Sequence, residues 1–186
     1  MATGAYTQET VVQTFDDLPF QPIDDLYHRG VTFDYKLNGL DSDDAKFASF
    51  GPVATEHVTD PSVVGNSAGI LTITFDVPTP SIAFGLALST SGAVASAVNV
   101  ALYDELNQLL ATQSADSTAS QVANGFSDLL FEYQGAPVSR MSLDFADAPR
   151  NFALDNLTYI VPEPNACIAL AIAIAALTVN QRRRKR

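Results

Sequence analysis

The chain has 186 residues, 47% of them hydrophobic and 17% charged, with 21 acids against ten Lys and Arg. Five of those cations lie in Arg182–Arg186, so residues 1–181 carry a formal charge of −16. That balance excludes nucleic acid as a partner, and it repels anionic polysaccharide unless a divalent cation intervenes. A single cysteine, Cys167, leaves no disulfide framework and no cysteine-based zinc site in the body, and the length suits one ordinary domain.

Met1 to Glu9 has neither a basic n-region nor an apolar h-region, so residues 1–10 are expected to form a segment with its signal peptide absent or trimmed. From there, alternation with period two recurs. Strands are expected at Val11–Phe15 and Val31–Tyr35, then where Leu71, Ile73, Phe75 and Val77 alternate with Thr72, Thr74 and Asp76. Pro78-Thr79-Pro80 interrupts, after which Ile82, Phe84, Leu86 and Leu88 resume the pattern. The two runs read as adjacent antiparallel strands, or as a link crossing between sheets. Further strands are expected at Ala97–Tyr103, Leu109–Gln113, Ser127–Tyr133, Ser139–Phe145 and Phe152–Tyr159. Turn chemistry at Ser91-Gly92, Asn124-Gly125, Gln134-Gly135-Ala136-Pro137 and Ala148-Pro149 separates them. Asp104–Asn107 reads as a hairpin turn, and Gln113–Ser120, rich in Ser, Thr and Ala, as an exposed loop. In the last strand Phe152 and Leu154 share a face, whereas Leu157 and Tyr159 have the opposite parity. The phase therefore slips at Asp155-Asn156, as a β-bulge would make it, and re-aims Asp155. No stretch of the body shows a helical period. The pattern predicts an all-β domain over residues 11–160, a two-sheet antiparallel sandwich of jelly-roll type.

Motifs with catalytic or metal-binding potential fall away one by one. Asp41-Ser42-Asp43-Asp44 opens like an EF-hand loop, but the sixth position is Lys46 instead of Gly and the twelfth is Pro52 instead of Glu. It reads as an acidic, solvated loop. Gly65-Asn66-Ser67-Ala68-Gly69 matches the nucleophile elbow of serine hydrolases, which needs a strand before it and a helix after it. Here a strand follows, and His28 and His57 both precede Ser67, so a glycine-rich turn is the better reading. The two histidines have no second pair to make a metal cluster. No catalytic constellation is visible, and the chain is expected not to be an enzyme. With no Trp, the aromatics able to stack on a sugar are Tyr27, Tyr35, Tyr103 and Tyr133, most of which belong in the core by expectation.

The C-terminus has three parts in order. Val161-Pro162-Glu163-Pro164 ends the last strand, because proline can neither continue a ladder nor sit inside a helix. An uncharged run from Ala166 to Val179 follows, apolar all round, and then Arg182, Arg183, Arg184, Lys185 and Arg186. A helix over 166–179 would span roughly 21 Å, and snorkelling arginines bring it nearer the ~30 Å hydrocarbon core. Terminal cations stay on the cytoplasmic side, which places the body outside. Residues 161–186 resemble the PEP-CTERM sorting signal of bacteria that make exopolysaccharide. The resemblance implies a single-pass inner-membrane precursor, recognition and cutting at the Pro-Glu-Pro motif by an exosortase, and a final place in the envelope or outside the cell.

Phe15-Asp16-Asp17-Leu18-Pro19, Tyr27 to Phe33, and Phe152 to Thr158 look like the body commonly attached to such tails, which is similar to jelly-roll carbohydrate-binding modules. That likeness implies a structural calcium ion joining acids near the first strand to an aspartate in the last, here Asp16, Asp17 and Asp155. It also implies exopolysaccharide as a partner. The expected function is that of an exported surface or matrix protein without catalysis of its own, the alternative being a calcium-dependent carbohydrate-binding module.

Overall fold

A computed structural model describes residues 9–51, 54–146 and 151–161, which form eleven strands and no helix. In chain order these are β1 (Glu9–Gln13), β2 (Leu26–His28), β3 (Val31–Leu37), β4 (Leu40–Asp41), β5 (Lys46–Ala48) and β6 (Ser62–Asn66). They are followed by β7 (Gly69–Leu88), β8 (Val94–Tyr103), β9 (Leu109–Ala119), β10 (Ser127–Phe145) and β11 (Asn151–Val161). The described body is all-β and sandwich-like. The expected helix at 166–179 and the sorting motif beyond Val161 lie outside the described residues. Among the described residues no helix is long and apolar enough to cross a membrane.

Two long strands, β7 and β10, hold the architecture together. They pair antiparallel along their whole length, from Ser127 opposite Leu88 to Asp144 opposite Ile70. The register shifts between Gln134 and Val138 and again before Arg140. Pro78 and Pro80 sit opposite those shifts, where no ladder partner is required of them, so two missing N–H groups are tolerated inside a strand. The two alternating runs around Pro78 are therefore one strand, not a hairpin, and Gln134–Pro137 is a bulge, not a turn. The first half of β7 pairs with β3, and the second half pairs with β11. On the other side, the C-terminal half of β10 carries β8, and β8 carries β9. β11 carries β6, and β6 carries β5. The halves of the sheet thus diverge at the proline bend and pack face to face.

Ring contacts show the packing directly. Phe152 of β11 stacks on Phe145 of β10 with centroids 4.1 Å apart and meets Tyr35 of β3 at 6.2 Å, although β11 pairs with neither strand. Phe15, Phe33 and Phe47 form a second cluster, with centroids 5.0 to 6.1 Å apart. Leu71, Ile73, Phe84, Leu86 and Leu154 are fully buried between the layers. Each such side chain contributes about 1.5–3 kcal/mol of transfer free energy.

Gln113–Ser120 is not a loop. β9 continues to Ala119, an edge strand paired with β8. One face of it is exposed, while the other turns Ala111, Ala115 and Ser117 toward the core, and inward residues this small leave little apolar alternation to read in sequence. Four short strands also escape the sequence pattern: β2, β4, β5 and β6. Their turns were signalled, since Arg29-Gly30 and Asn38-Gly39 both take positive φ at both positions, as a two-residue hairpin turn requires. The phase slip in β11 is present, with the ladder to β7 shifting between Asp155 and Thr158, and Asn156 at φ 54°.

After β5 the chain crosses the outer face of the β11–β7–β10 half as a strap. Val58 packs there with Ala87 and Ala153 in a small second core, flanked by Phe50 and Val64. The His57 carbonyl lies directly over Gly85, leaving no room for a Cβ. Gly85→Ala should lift the strap and lower stability by about 1–3 kcal/mol, read as a fall in thermal midpoint. Gly92→Ala, where a Cβ meets nothing within 4 Å, should leave the midpoint unchanged.

Candidate functional site

Two groups of residues can engage a ligand. The first is the set of acids near the last strand. Asp155 lies in regular register opposite Gly85, so alternation with Ala153 points it outward before the bulge, to the strap, where its Oδ2 accepts hydrogen bonds from the Thr59 amide (3.0 Å) and hydroxyl (2.8 Å). The residue is fully buried, and its Oδ1 accepts no hydrogen bond. Burial raises its pKa, the bonds from Thr59 lower it, and the Asp16 carboxylate raises it further. Asp16 also accepts from the Thr14 hydroxyl at 2.8 Å. Asp17 lies elsewhere in the network. Its carboxylate takes Arg29 Nη2 at 2.7 Å and has His28 Nε2 at 3.3 Å. Slight desolvation pulls the Asp17 pKa up, but the Arg29 hydrogen bond and both charges hold it below the usual range.

Of the three acids implied by resemblance, then, Asp16 and Asp155 influence each other and Asp17 is engaged by a guanidinium. A calcium ion takes six to eight oxygens, and a buried carboxylate oxygen without a donor suits it. Asp155 offers such an oxygen, and Asp17 already has Arg29 and His28 beside its carboxylate. The carboxylates that do converge among the described residues are Asp24, Asp34 and Asp41, with oxygens within 4.8 Å of one another. Lys36 already supplies their cation, at 2.5 Å from Asp41 and 3.8 Å from Asp34.

Another buried acid, Asp128, anchors the strap from β10. The His57 amide donates to its Oδ2 at 3.3 Å, while its Oδ1 has His57 Nε2 at 3.8 Å and no hydrogen bond. Burial pushes its pKa up against the pull of Thr55 and His57. Sequence alternation could have placed Asp128 on the outer face but could not have shown the strap above it.

The second group is the outer face of the other half-sheet, which no described segment covers. Register places Thr32, Thr74, Arg140 and Tyr103 side by side across four strands, with Tyr27 of β2 opposite Thr32. The next row is Asp34, Thr72, Ser142, Ala101 and Thr112, and the third is Lys36, Ile70, Asp144, Asn99 and Ser114. The first row has an aromatic at each end. Tyr27 is 59% exposed, and its hydroxyl donates to Asp76 at 2.8 Å, which raises the Tyr27 pKa. At the other end the Arg140 guanidinium lies 3.8 Å over the Tyr103 ring. Asn107 Oδ1 fixes it by accepting from Nε (3.1 Å) and Nη2 (2.5 Å). A guanidinium held flat in this way is a rigid polar plate with donors along its edge. Pro78, two residues beyond Asp76 on β7, lines a recess of about 380 Å³ with Asp104, Glu105, Leu106 and Pro137.

The four tyrosines separate cleanly. Tyr35 is buried, donates to the Asn66 carbonyl at 2.5 Å, and has its pKa pushed up to about 12, chiefly by burial. Tyr133 is buried and donates to the Ala136 carbonyl at 2.9 Å. Tyr27 and Tyr103 are on the open face. Ser67 of the G-x-S-x-G stretch is buried in the turn between β6 and β7, with no helix after it.

No family model matches the chain, and no curated protein does. Solved structures with a similar course include a family 29 carbohydrate-binding module, 9% identical at a TM-score of 0.44 over 83% of this chain and 89% of that one. A mutant of the module CBM29-2 complexed with cellulohexaose is 10% identical at 0.43 over 82% and 91%. The cleaved adhesin domain of Lys-gingipain is 10% identical at 0.44 over 81% and 97%. Likenesses at this level concern the course of the chain and carry nothing about ligands.

Proposed function

We propose that this protein is a non-enzymatic, surface-displayed module that binds polysaccharide on its open sheet face. The observation that carries the reading is the row from Tyr27 to the Arg140–Tyr103 stack. It offers an exposed ring and a fixed guanidinium plate with threonine hydroxyls between them. A sugar presents an apolar ring face for stacking and hydroxyls for hydrogen bonding, and a flat, wet face meets both needs.

The sequence of the tail supports export and sorting. Pro162, Glu163 and Pro164 serve recognition by an exosortase-type enzyme, residues 166–179 partition into the inner membrane, and Arg182–Arg186 set the orientation. Calcium belongs to the same reading as a structural ion on Asp155 and Asp16. Its role there is to offset carboxylate repulsion near the strap, with no part in contacting the sugar.

Three outcomes test these assignments. Against a panel of neutral, amine-bearing and uronate hexasaccharides, Tyr27→Ala and Arg140→Ala should each weaken the binding of whichever member the native protein takes by about tenfold. Their thermal midpoints should stay near that of the native protein. A panel with no binder, or variants that bind undiminished, rejects the face. EGTA should lower the thermal midpoint of the native protein and leave Asp155→Asn indifferent; an unshifted native midpoint removes calcium from the account. Replacing Pro162-Glu163-Pro164 with alanines should strand the unprocessed form in the inner membrane, as judged by mature mass and fractionation.

A further inference from the structure

We infer that the polysaccharide favoured by this face carries free amines, an inference that rests on the glycan-binding reading above. The face is acidic in a particular way. Lys36 is paired with Asp41 and Asp34, while Arg140, held by Asn107 and the Tyr103 ring, keeps its charge at one end of the first row. Two of its acids have no cation. The Asp76 carboxylate is held by the Tyr27 hydroxyl, and the Asp144 carboxylate makes no hydrogen bond or ion pair among the described residues. Asp144 stands opposite Ile70, six positions from Asp76 along β7, so the two carboxylates flank a stretch of roughly 20 Å. Between them the face offers Thr72, Thr74 and Ser142, which are neutral hydroxyls.

An extended ligand lying on this stretch meets a negative charge near each end and hydroxyl partners in the middle. Uronate, sulfate or phosphate groups would face repulsion there, and from the −16 formal charge of residues 1–181 as well. A chain of amino sugars instead places ammonium groups against Asp76 and Asp144 and hydroxyls against the threonines. Charge alone would also admit a basic peptide. Peptides of that kind gain affinity by adding a strand at an open edge, and here β7, β10 and β8 are each paired on both sides. Main-chain recognition is therefore closed to a ligand on this face, which leaves side-chain stacking and hydroxyl bonding.

The test titrates the full-length protein, at mildly acidic pH, with a glucosamine hexamer, its N-acetylated counterpart and hexalysine. The glucosamine hexamer should bind about tenfold tighter than the acetylated one, with the gap closing as salt is raised. Asp144→Asn should narrow the gap, and Glu132→Gln, an equal charge change on the other half-sheet, should not. Equal affinity for the two sugars overturns the amine preference while leaving the glycan reading intact. Hexalysine binding as tightly as the glucosamine hexamer, with Tyr27→Ala indifferent, reduces the effect to bulk charge and overturns the inference. So does a gap that Glu132→Gln narrows and Asp144→Asn does not. Failure of both sugars to bind while another hexasaccharide of the panel binds overturns the amine preference, and failure of the whole panel removes the glycan reading itself.

Discussion

The bent pairing of β7 with β10 is the constraint on which the rest of the structure depends. These two strands pair with each other through both halves of the sheet, and each half is assembled outward from them. The bend requires a place where ladder bonds can lapse, and Pro78, Pro80 and the bulge at Gln134–Val138 supply it. Because the halves then face each other, every inward residue of β7 serves a shared core. That is why Leu71 and Leu86, fifteen positions apart and on opposite sides of two prolines, are both fully buried.

The same bend decides which faces remain outside. Over the β11–β7–β10 half, Gly85, Ala87 and Ala153 are small enough for the strap to lie against the sheet. Two buried acids, Asp128 and Asp155, hold it through backbone amides. Carboxylates in such positions are costly unless they are bonded, and each of these still has one oxygen without a donor. Over the other half the corresponding positions are Thr72, Thr74, Arg140 and Ser142, which are polar, and no described segment packs on them. One sheet therefore presents a covered face and an open one, and residue size on alternate positions of β7 distinguishes them.

How much of this could be read from sequence follows from what alternation reports. It reports burial on one face, so the long strands with one dry face (β3, β7, β8, β10 and β11) were legible, as was the bulge at Asp155-Asn156. Alternation fails where the inward residues are small, as along β9 with Ala111, Ala115 and Ser117, and where a strand is two or three residues long, as in β2, β4 and β5. It also cannot tell a proline that ends a strand from one that sits at a lapse in pairing, since the difference lies in the partner. Among site residues, Tyr27 and Tyr103 could be named as candidates but not separated from Tyr35 and Tyr133. Only the register, which sets Tyr27 opposite Thr32 and Tyr103 opposite Arg140, places two of the four on one surface.

The spacing of the acids also bears on what the open face can do chemically. Glycoside cleavage needs two carboxyl groups on either side of one bond, roughly 5 to 9.5 Å apart, with one held protonated. The uncompensated acids on this face stand roughly 20 Å apart along β7, and both are exposed to water. The closer group, Asp24, Asp34 and Asp41, has the Lys36 ammonium beside Asp34 and Asp41. Burial pushes the Asp34 pKa up, but the Lys36 charge opposes it. A flat surface with separated charges and hydroxyls between them gives several weak contacts along an extended chain. In the reading proposed above, such contacts together would retain a polymer without bringing two acids to the same bond.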